Sequence, residues 1–230
     1  MTRTLLIGVL ALGLAACAGE STDAADTGAE EPSVAGSFAD APAIPAGDYV
    51  IDTSHSRAEF RVKHLGISTV TGRFDGVEGT LSIGDDLSSL QTNAIIDAST
   101  ISTGNTDRDG HLKSADFFDV EQFPEITFNS TEIRPGEGST FTLVGDLTMH
   151  GVTNPVTLDA EYVGESVMGG TQKLGFTASG EINRQDWDLS WAQTNDVGEA
   201  IVGDDVTLII ELQADAQSAE AAEEVASAEQ

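Results

Sequence analysis

Apolar side chains recur at every second position along most of this chain, and that rhythm commits it to β-sheet. Over residues 56–63, Ala58, Phe60 and Val62 fall on one face and Arg57, Glu59, Arg61 and Lys63 on the other. Such alternation marks a half-buried antiparallel strand. The pattern returns over 68–74, 77–83, 93–98, 126–133 and 140–149, then at Val156, Leu158, Ala160 and Tyr162. It continues at Leu174, Phe176, Ala178 and Ile182, and closes at Val206, Leu208, Ile210 and Leu212. Turn formers separate the runs, notably Asp75-Gly76, Pro135-Gly136-Glu137-Gly138 and Gly169-Gly170. The expected class is all-β and antiparallel, a sandwich or a closed barrel of about eight to ten strands. Gly145 and Gly180 lie inside strand patterns, where glycine serves tight curvature or close backbone approach.

The rhythm breaks over residues 107–124, which hold the densest mix of chemistry. Arg108 and His111 sit among Asp107, Asp109, Asp116 and Asp119, and Phe117, Phe118 and Phe123 follow. Three phenylalanines outside a strand need cover, because large apolar patches are rare on soluble domains. The reading is a short, broken helical connection that lays its aromatics over one end of the sheet or barrel and leaves its charges at the rim. Asp107, Asp109 and Ser114 are residue types that cap helices.

The two ends of the chain differ from its middle. Arg3 followed by an apolar run to Ala16 reads as an export signal, too short for a membrane span. Leu14-Ala15-Ala16-Cys17 resembles a bacterial lipobox, which implies a signal peptide over 1–16 and lipidation of Cys17. Ala18, in place of Asp, favours the outer membrane by the same resemblance. Residues 18–46 contain six acids and no base, so they cannot bury enough surface to offset chain entropy. They read as a tether with a reach of roughly 30 Å. The domain is expected over 47–213, and the five acids and no base beyond it read as a disordered tail.

Charge excludes some partners. The chain carries 39 acids against 10 bases, a net charge of −29. Phosphate binding needs clustered Lys and Arg, so nucleic acid is not expected. The total also argues against adhesion to anionic lipid headgroups. A solvated, self-repelling surface accounts for it, as does adaptation to salty surroundings. The lone cysteine rules out an internal disulfide.

Chemical machinery is sparse. His55, His64, His111 and His150 lack the spacing of a zinc site, and no metal or cofactor is expected. His111 with Asp109 or Asp116 and Ser114 as nucleophile is the one catalytic arrangement available, but a triad is recognised by geometry. No nucleophile elbow, phosphate loop or dinucleotide fingerprint occurs. Trp187 and Trp191 read either as core or as cavity wall.

The residues resemble the YceI-like family. The matching stretches are Asp52-Thr53-Ser54-His55-Ser56, Val62-Lys63-His64-Leu65-Gly66 and Arg108-Asp109-Gly110-His111-Leu112-Lys113-Ser114 with Asp116-Phe117-Phe118-Asp119. Phe123-Pro124, Gly145-Asp146-Leu147-Thr148-Met149-His150-Gly151-Val152-Thr153 and Asn183-Arg184 complete the set. One departure is Trp187-Asp188-Leu189, where the family more often carries Phe-Gly-Leu. The resemblance implies an extended eight-stranded lipocalin-like barrel with the 107–124 segment at one end. It implies binding of a long isoprenoid or acyl lipid inside the barrel and no catalytic residues. Phe60, Phe117, Phe118, Phe128, Phe176 and Trp187 are the candidates for the wall, and Arg108 and His111 for the mouth. The expected partners are that lipid, the membrane through Cys17, and a second copy of the chain through an exposed edge strand. The other readings are an envelope hydrolase or metal-dependent enzyme centred on His111, and a barrel filled by its own side chains.

Overall fold

The computed structural model describes residues 37–38 and 41–217. The export signal, Cys17 and most of the expected tether and tail lie outside the described residues. The alternating segments form β1 (Gly47–Ile51), β2 (Arg57–His64), β3 (Ser68–Asp75), β4 (Val77–Ile83) and β5 (Gln91–Asp97). After the helix α1 (Thr106–Lys113) come β6 (Glu125–Pro135), β7 (Thr140–Met149), β8 (Val152–Met168), β9 (Thr171–Asn183) and β10 (Val202–Ala216). All pairings are antiparallel, and the order β1-β4-β5-β6-β7-β8-β9-β10 returns to β1. The result is a closed eight-stranded barrel with one short helix, as expected.

Two staves of that barrel are broken. Residues 52–56 interrupt the first between β1 and β2, and Gly76, at φ 75°, interrupts the second between β3 and β4. β10 bridges the first break: it pairs with β2 through Val202–Glu211 and with β1 through Ala214–Ala216. The link itself is knitted by side chains. Gln213 N–H donates to Ser56 Oγ at 3.0 Å and Gln213 Nε2 to Asp52 Oδ2 at 2.8 Å. Asp52 Oδ1 also accepts from Ser54 Oγ at 2.6 Å and from Ser54 N–H at 2.9 Å, while Oδ2 lies 2.8 Å from His55 Nδ1. The bonds from the Ser54 hydroxyl and from His55, with the Ser54 N–H, outweigh burial and bring the Asp52 carboxyl down to about 2. Its unfolded value is near 3.9, so its contribution is complete above about pH 4 and lost as pH falls towards 2. Asp52→Asn should therefore flatten acid unfolding in that window by about 1 kcal/mol after solvent screening. Urea midpoints measured at pH 2.5 and pH 6 check this.

Both domain boundaries lie further out than the sequence suggested. Ile44 is buried and joins the core, and Pro45 O accepts the Tyr49 hydroxyl at 2.9 Å. The chain is therefore already packed before Gly47. At the other end β10 continues through Ala216, with Ala214 fully buried opposite Ile51. Ala214 and Ala216 extend the inward alternation of Leu212, but their small side chains look like tail composition. They are small because they meet Ile51 and Tyr49 across the ladder.

The interior has two apolar centres. One, around Tyr49, Ile51, Ile83, Leu87 and Leu174, closes the end of the barrel where β10 finishes. The other, around Phe74, Phe117, Phe118, Trp187 and Leu189, lies at the end where β10 begins. The barrel wall is tight at Gly145. A Cβ there would stand 2.4 Å from Phe128 Cζ and 2.6 Å from Asn129 O, and the second is fixed backbone. Gly145→Ala should cost about 2 kcal/mol through overpacking, read as a lower urea midpoint at unchanged slope.

Candidate functional site

The segment that breaks the strand rhythm forms one end of the barrel. Asn105 caps α1 by accepting the Arg108 N–H at 3.0 Å, a role the sequence reading gave to Asp107 and Asp109. Asp109 instead accepts the Thr103 N–H at 2.8 Å and the Thr103 hydroxyl at 2.5 Å. Arg108 fastens the same residue, with Nε 2.7 Å from Thr103 Oγ1 and Nη2 3.0 Å from Thr103 O. The helix is thus tied down by its polar face. The residues after it then direct Phe117 and Phe118 into the interior, 7% and 9% exposed. Phe118 meets Phe74 edge-on at 5.5 Å, a favoured aromatic geometry.

Behind this segment three cavities follow one another down the barrel. The outermost, about 200 Å³, lies between α1, β2 and Trp191 and is lined by Phe60, Lys63, Arg108, His111 and Phe117 among others. The next, about 100 Å³, shares Phe60, Val62, Leu112, Phe117 and Val202 with it and adds Phe118, Arg184 and Leu208. The innermost, about 120 Å³, begins at Leu208 and runs between Phe128, Phe141, Leu158 and Phe176. Its only polar side chains are Thr92 and Thr177. The outer two cavities share five lining residues and the inner two share Leu208, so the three lie in series behind a polar rim as an interrupted tunnel.

Most of the expected site residues meet there. Phe128 and Phe176 line the innermost cavity, Phe118 the middle one, Phe60 and Phe117 the outer two, and Arg108 and His111 the rim. Trp187 lines none of the three. It is 2% exposed and donates Nε1–H to Leu147 O at 3.0 Å, a core role. Its neighbour Trp191 takes the rim position, with the His111 ring at 5.4 Å and Phe117 at 5.2 Å. The site residue that the reading missed is Arg184. It is 5% exposed, and its guanidinium donates to Gly203 O at 2.9 Å, to Asp204 Oδ1 at 2.7 Å and to Leu189 O. Those bonds hold the turn that carries Leu189 and Trp191 against the start of β10. Asn183-Arg184 was visible as a matching pair, but nothing local marks this arginine as buried.

The arrangement around His111 is not a nucleophile–base pair. His111 Nε2 lies 2.9 Å from Asp116 Oδ2, while Ser114 Oγ donates to the main-chain oxygen of His111 at 2.7 Å. Ser114 is engaged as the helix C-terminal cap, its hydroxyl bound to the main chain rather than to the imidazole. Among the described residues no group of three or more His, Cys, Asp or Glu could hold a metal ion.

Comparison with known proteins agrees with this architecture. The model of the YceI-like domain matches residues 49–214. A UPF0312 protein of Staphylococcus aureus strain N315 is 38% identical over 165 residues, 69% of this chain and 92% of that protein. The crystal structure of a Campylobacter jejuni YceI protein superposes with a TM-score of 0.58 at 28% identity, covering 68% of this chain and 90% of that one. A polyisoprenoid binding domain from Saccharophagus degradans shares the fold, with a TM-score of 0.54 at 16% identity over 75% of this chain and 100% of that one.

Proposed function

The chain belongs to the YceI-like family, and from that premise we propose that its barrel holds the apolar tail of a long isoprenoid or acyl lipid. One observation carries the reading: an innermost cavity of about 120 Å³ walled almost entirely by apolar side chains. An apolar cavity of roughly this size stays dry and accepts small apolar molecules. Leaving it empty costs about 3 kcal/mol at the usual ~24 cal/mol per Å³, and a lipid tail relieves that cost. Each buried methylene adds about 0.8 kcal/mol, so ten supply roughly 8 kcal/mol before the entropy of binding is subtracted. No strong polar anchor is required inside. Arg108, His111 and Trp191 at the rim would orient the headgroup. The C. jejuni relative and the S. degradans domain share the barrel, and the latter is described as polyisoprenoid binding, which supports the isoprenoid class. The role is binding and carriage rather than catalysis.

We place the protein in the cell envelope as a proposal from the sequence alone: Cys17 would carry the lipid anchor and the acidic segment would tether the barrel. An exported chain whose Cys17 carries no acyl mass by mass spectrometry of its N-terminal peptide would overturn the anchor. A second copy would dock on β8, which outruns β7 and leaves 163–168 unpaired on that side among the described residues. A single monomeric boundary in sedimentation at high protein concentration would remove that partner.

The test of lipid carriage is native mass spectrometry of the protein purified from bacteria without detergent. The expected result is an adduct at one lipid per chain, with the mass of a prenyl or acyl species after organic extraction. A protein that remains lipid-free after exposure to prenyl and acyl lipids would mean that the barrel is filled by its own side chains.

A further inference from the structure

We infer that the β2–β3 hairpin beside the tunnel mouth is a membrane-docking finger for bilayers with anionic headgroups. The inference adds to the lipid-carrier reading a surface from which the lipid would be taken. Its first support is the distribution of charge. Residues 61–73 contain Arg61, Lys63 and Arg73 and no Asp or Glu, in a chain of net charge −29. Towards the base of the hairpin the bases are neutralised: Arg57 pairs with Glu59 and Glu211, and Arg73 with Asp75. Nearest the turn, Arg61 and Lys63 are exposed and have no carboxylate partner among the described residues. Lys63 Nζ donates a hydrogen bond to the Thr69 hydroxyl at 3.1 Å.

The turn itself is the second support. His64 O accepts the Ile67 N–H at 3.2 Å, with Leu65 at φ 53° and Gly66 at φ 67° between them. Two left-handed central residues make His64–Ile67 a type I′ turn, for which Asn-Gly is the favoured pair, within a three-residue connection from His64 to its ladder partner Ser68. Leucine there is strained, since only Gly, Asn and Asp enter this region readily. Ile67 follows it with 86% of its surface in water, the most exposed large aliphatic side chain described. A solvent-facing turn is therefore built of Leu-Gly-Ile where polar residues would be easier to accommodate.

Position is the third. Leu65 N–H donates to Ile201 O at 2.9 Å, which ties the finger to the loop carrying Trp191. That loop has its own tip at Val197, 79% exposed. Lys63, His64, Trp191 and Ile201 all line the outermost cavity. Exposed aliphatics, unpaired bases and the tunnel entrance thus share one end. Docking there would bring the mouth to the depth of the lipid headgroups. The acids closest along the chain and ladder are Glu59 on β2, which pairs with Arg57, and Asp204 and Asp205 in the β10 bulge opposite Lys63, with Asp196 and Glu199 on the Val197 turn. They oppose an anionic surface, so the basic hairpin leads and the acids limit how long the protein stays.

The experiment uses the full-length chain with Cys17→Ser and one new labelling site. An environment-sensitive fluorophore is placed at Ile67→Cys, and in a second protein at Met168→Cys, which is 73% exposed at the far end. On vesicles of phosphatidylcholine with phosphatidylglycerol, the label at 67 should shift to the blue and the label at 168 should not. Pure phosphatidylcholine should give a much weaker shift. Arg61→Glu and Lys63→Glu should each weaken the response about fivefold beyond the loss of the base, the usual weight of one charge at such a surface. Equal shifts at both labels, no shift at either, or equal response to neutral vesicles would overturn the inference. Ile67→Asp should slow prenyl-lipid uptake from vesicles while leaving uptake from detergent micelles unchanged. Loss of both would assign Ile67 to the tunnel and overturn docking. A wild-type protein that takes lipid from neither source but still shows the shift at 67 would overturn the carrier reading and leave docking standing.

Discussion

Arg184→Met is expected to lower the stability of the barrel by about 3–5 kcal/mol, the range for removing one partner from a buried charged network. For a domain of this size that corresponds to a fall in Tm of roughly 10–15 °C. The cause is what the substitution leaves behind. Gly203 O and Leu189 O lose their donors, and each stranded carbonyl costs about 1–3 kcal/mol. Asp204 is half exposed and can turn to water, so its share of the loss is small. Arg184→Lys should recover little, because one ammonium cannot reach three acceptors held by a planar fork. Calorimetry decides the matter. A Tm within 3 °C of wild type would mean that the turn over residues 184–191 is held by Trp187 and Leu189 alone.

Phe176→Asp is expected to abolish lipid uptake. Phe176 is 8% exposed, packs against Tyr162 at 5.4 Å between ring centres, and forms part of the innermost wall. A carboxylate there must either stay ionised in an apolar chamber or take up a proton, and both oppose a hydrocarbon tail. The same penalty threatens folding, so a second variant is needed. Ala178→Phe fills the chamber with carbon and adds no polar group. It should fold and should bind lipid at least tenfold more weakly, as measured by adduct occupancy in native mass spectrometry. Wild-type occupancy in a folded Ala178→Phe protein would show that the innermost cavity takes no part in binding.

The sequence disclosed the strands because their inward residues are large. Ala58, Phe60 and Val62, or Leu174, Phe176 and Ala178, announce a buried face by period alone. It concealed the places where packing is made by small residues or by distant ones. Ala214 and Ala216 look like tail, and Ile44 stands alone in an acidic stretch, yet the barrel closes over all three. Cavity-lining aromatics were visible for a related reason: Phe60, Phe128 and Phe176 sit in strand alternation and Phe117 and Phe118 beside the broken helix, and all five line the cavities. Trp187 was misassigned because its buried N–H partner, Leu147 O, lies 40 positions away in sequence. Arg184 was missed because burial of a guanidinium depends on three acceptors that no local pattern displays. Net charge is an average over the whole chain. A total of −29 describes the molecule but not the hairpin at 61–73, which carries no acid at all.

The break at Gly76 has a consequence for how a lipid could get in. Below it β4 is laddered to β5 over its whole length, but above it β3 meets the following chain only where Arg73 and Ser102 exchange two hydrogen bonds of 2.9 Å. At a net value of about 1 kcal/mol each, those two bonds contribute some 2 kcal/mol, and the rest of the closure comes from Ala98 and Ile101, buried in one apolar cluster with Phe74 and Phe118. By contrast β8, β9 and β10 are zipped together along ladders of nine or more residue pairs. If the barrel carries a lipid as proposed, a branched or bulky tail would not have to be threaded end-first past Phe60 and Leu208: this is the seam at which the wall would part, like a door hinged on a single glycine.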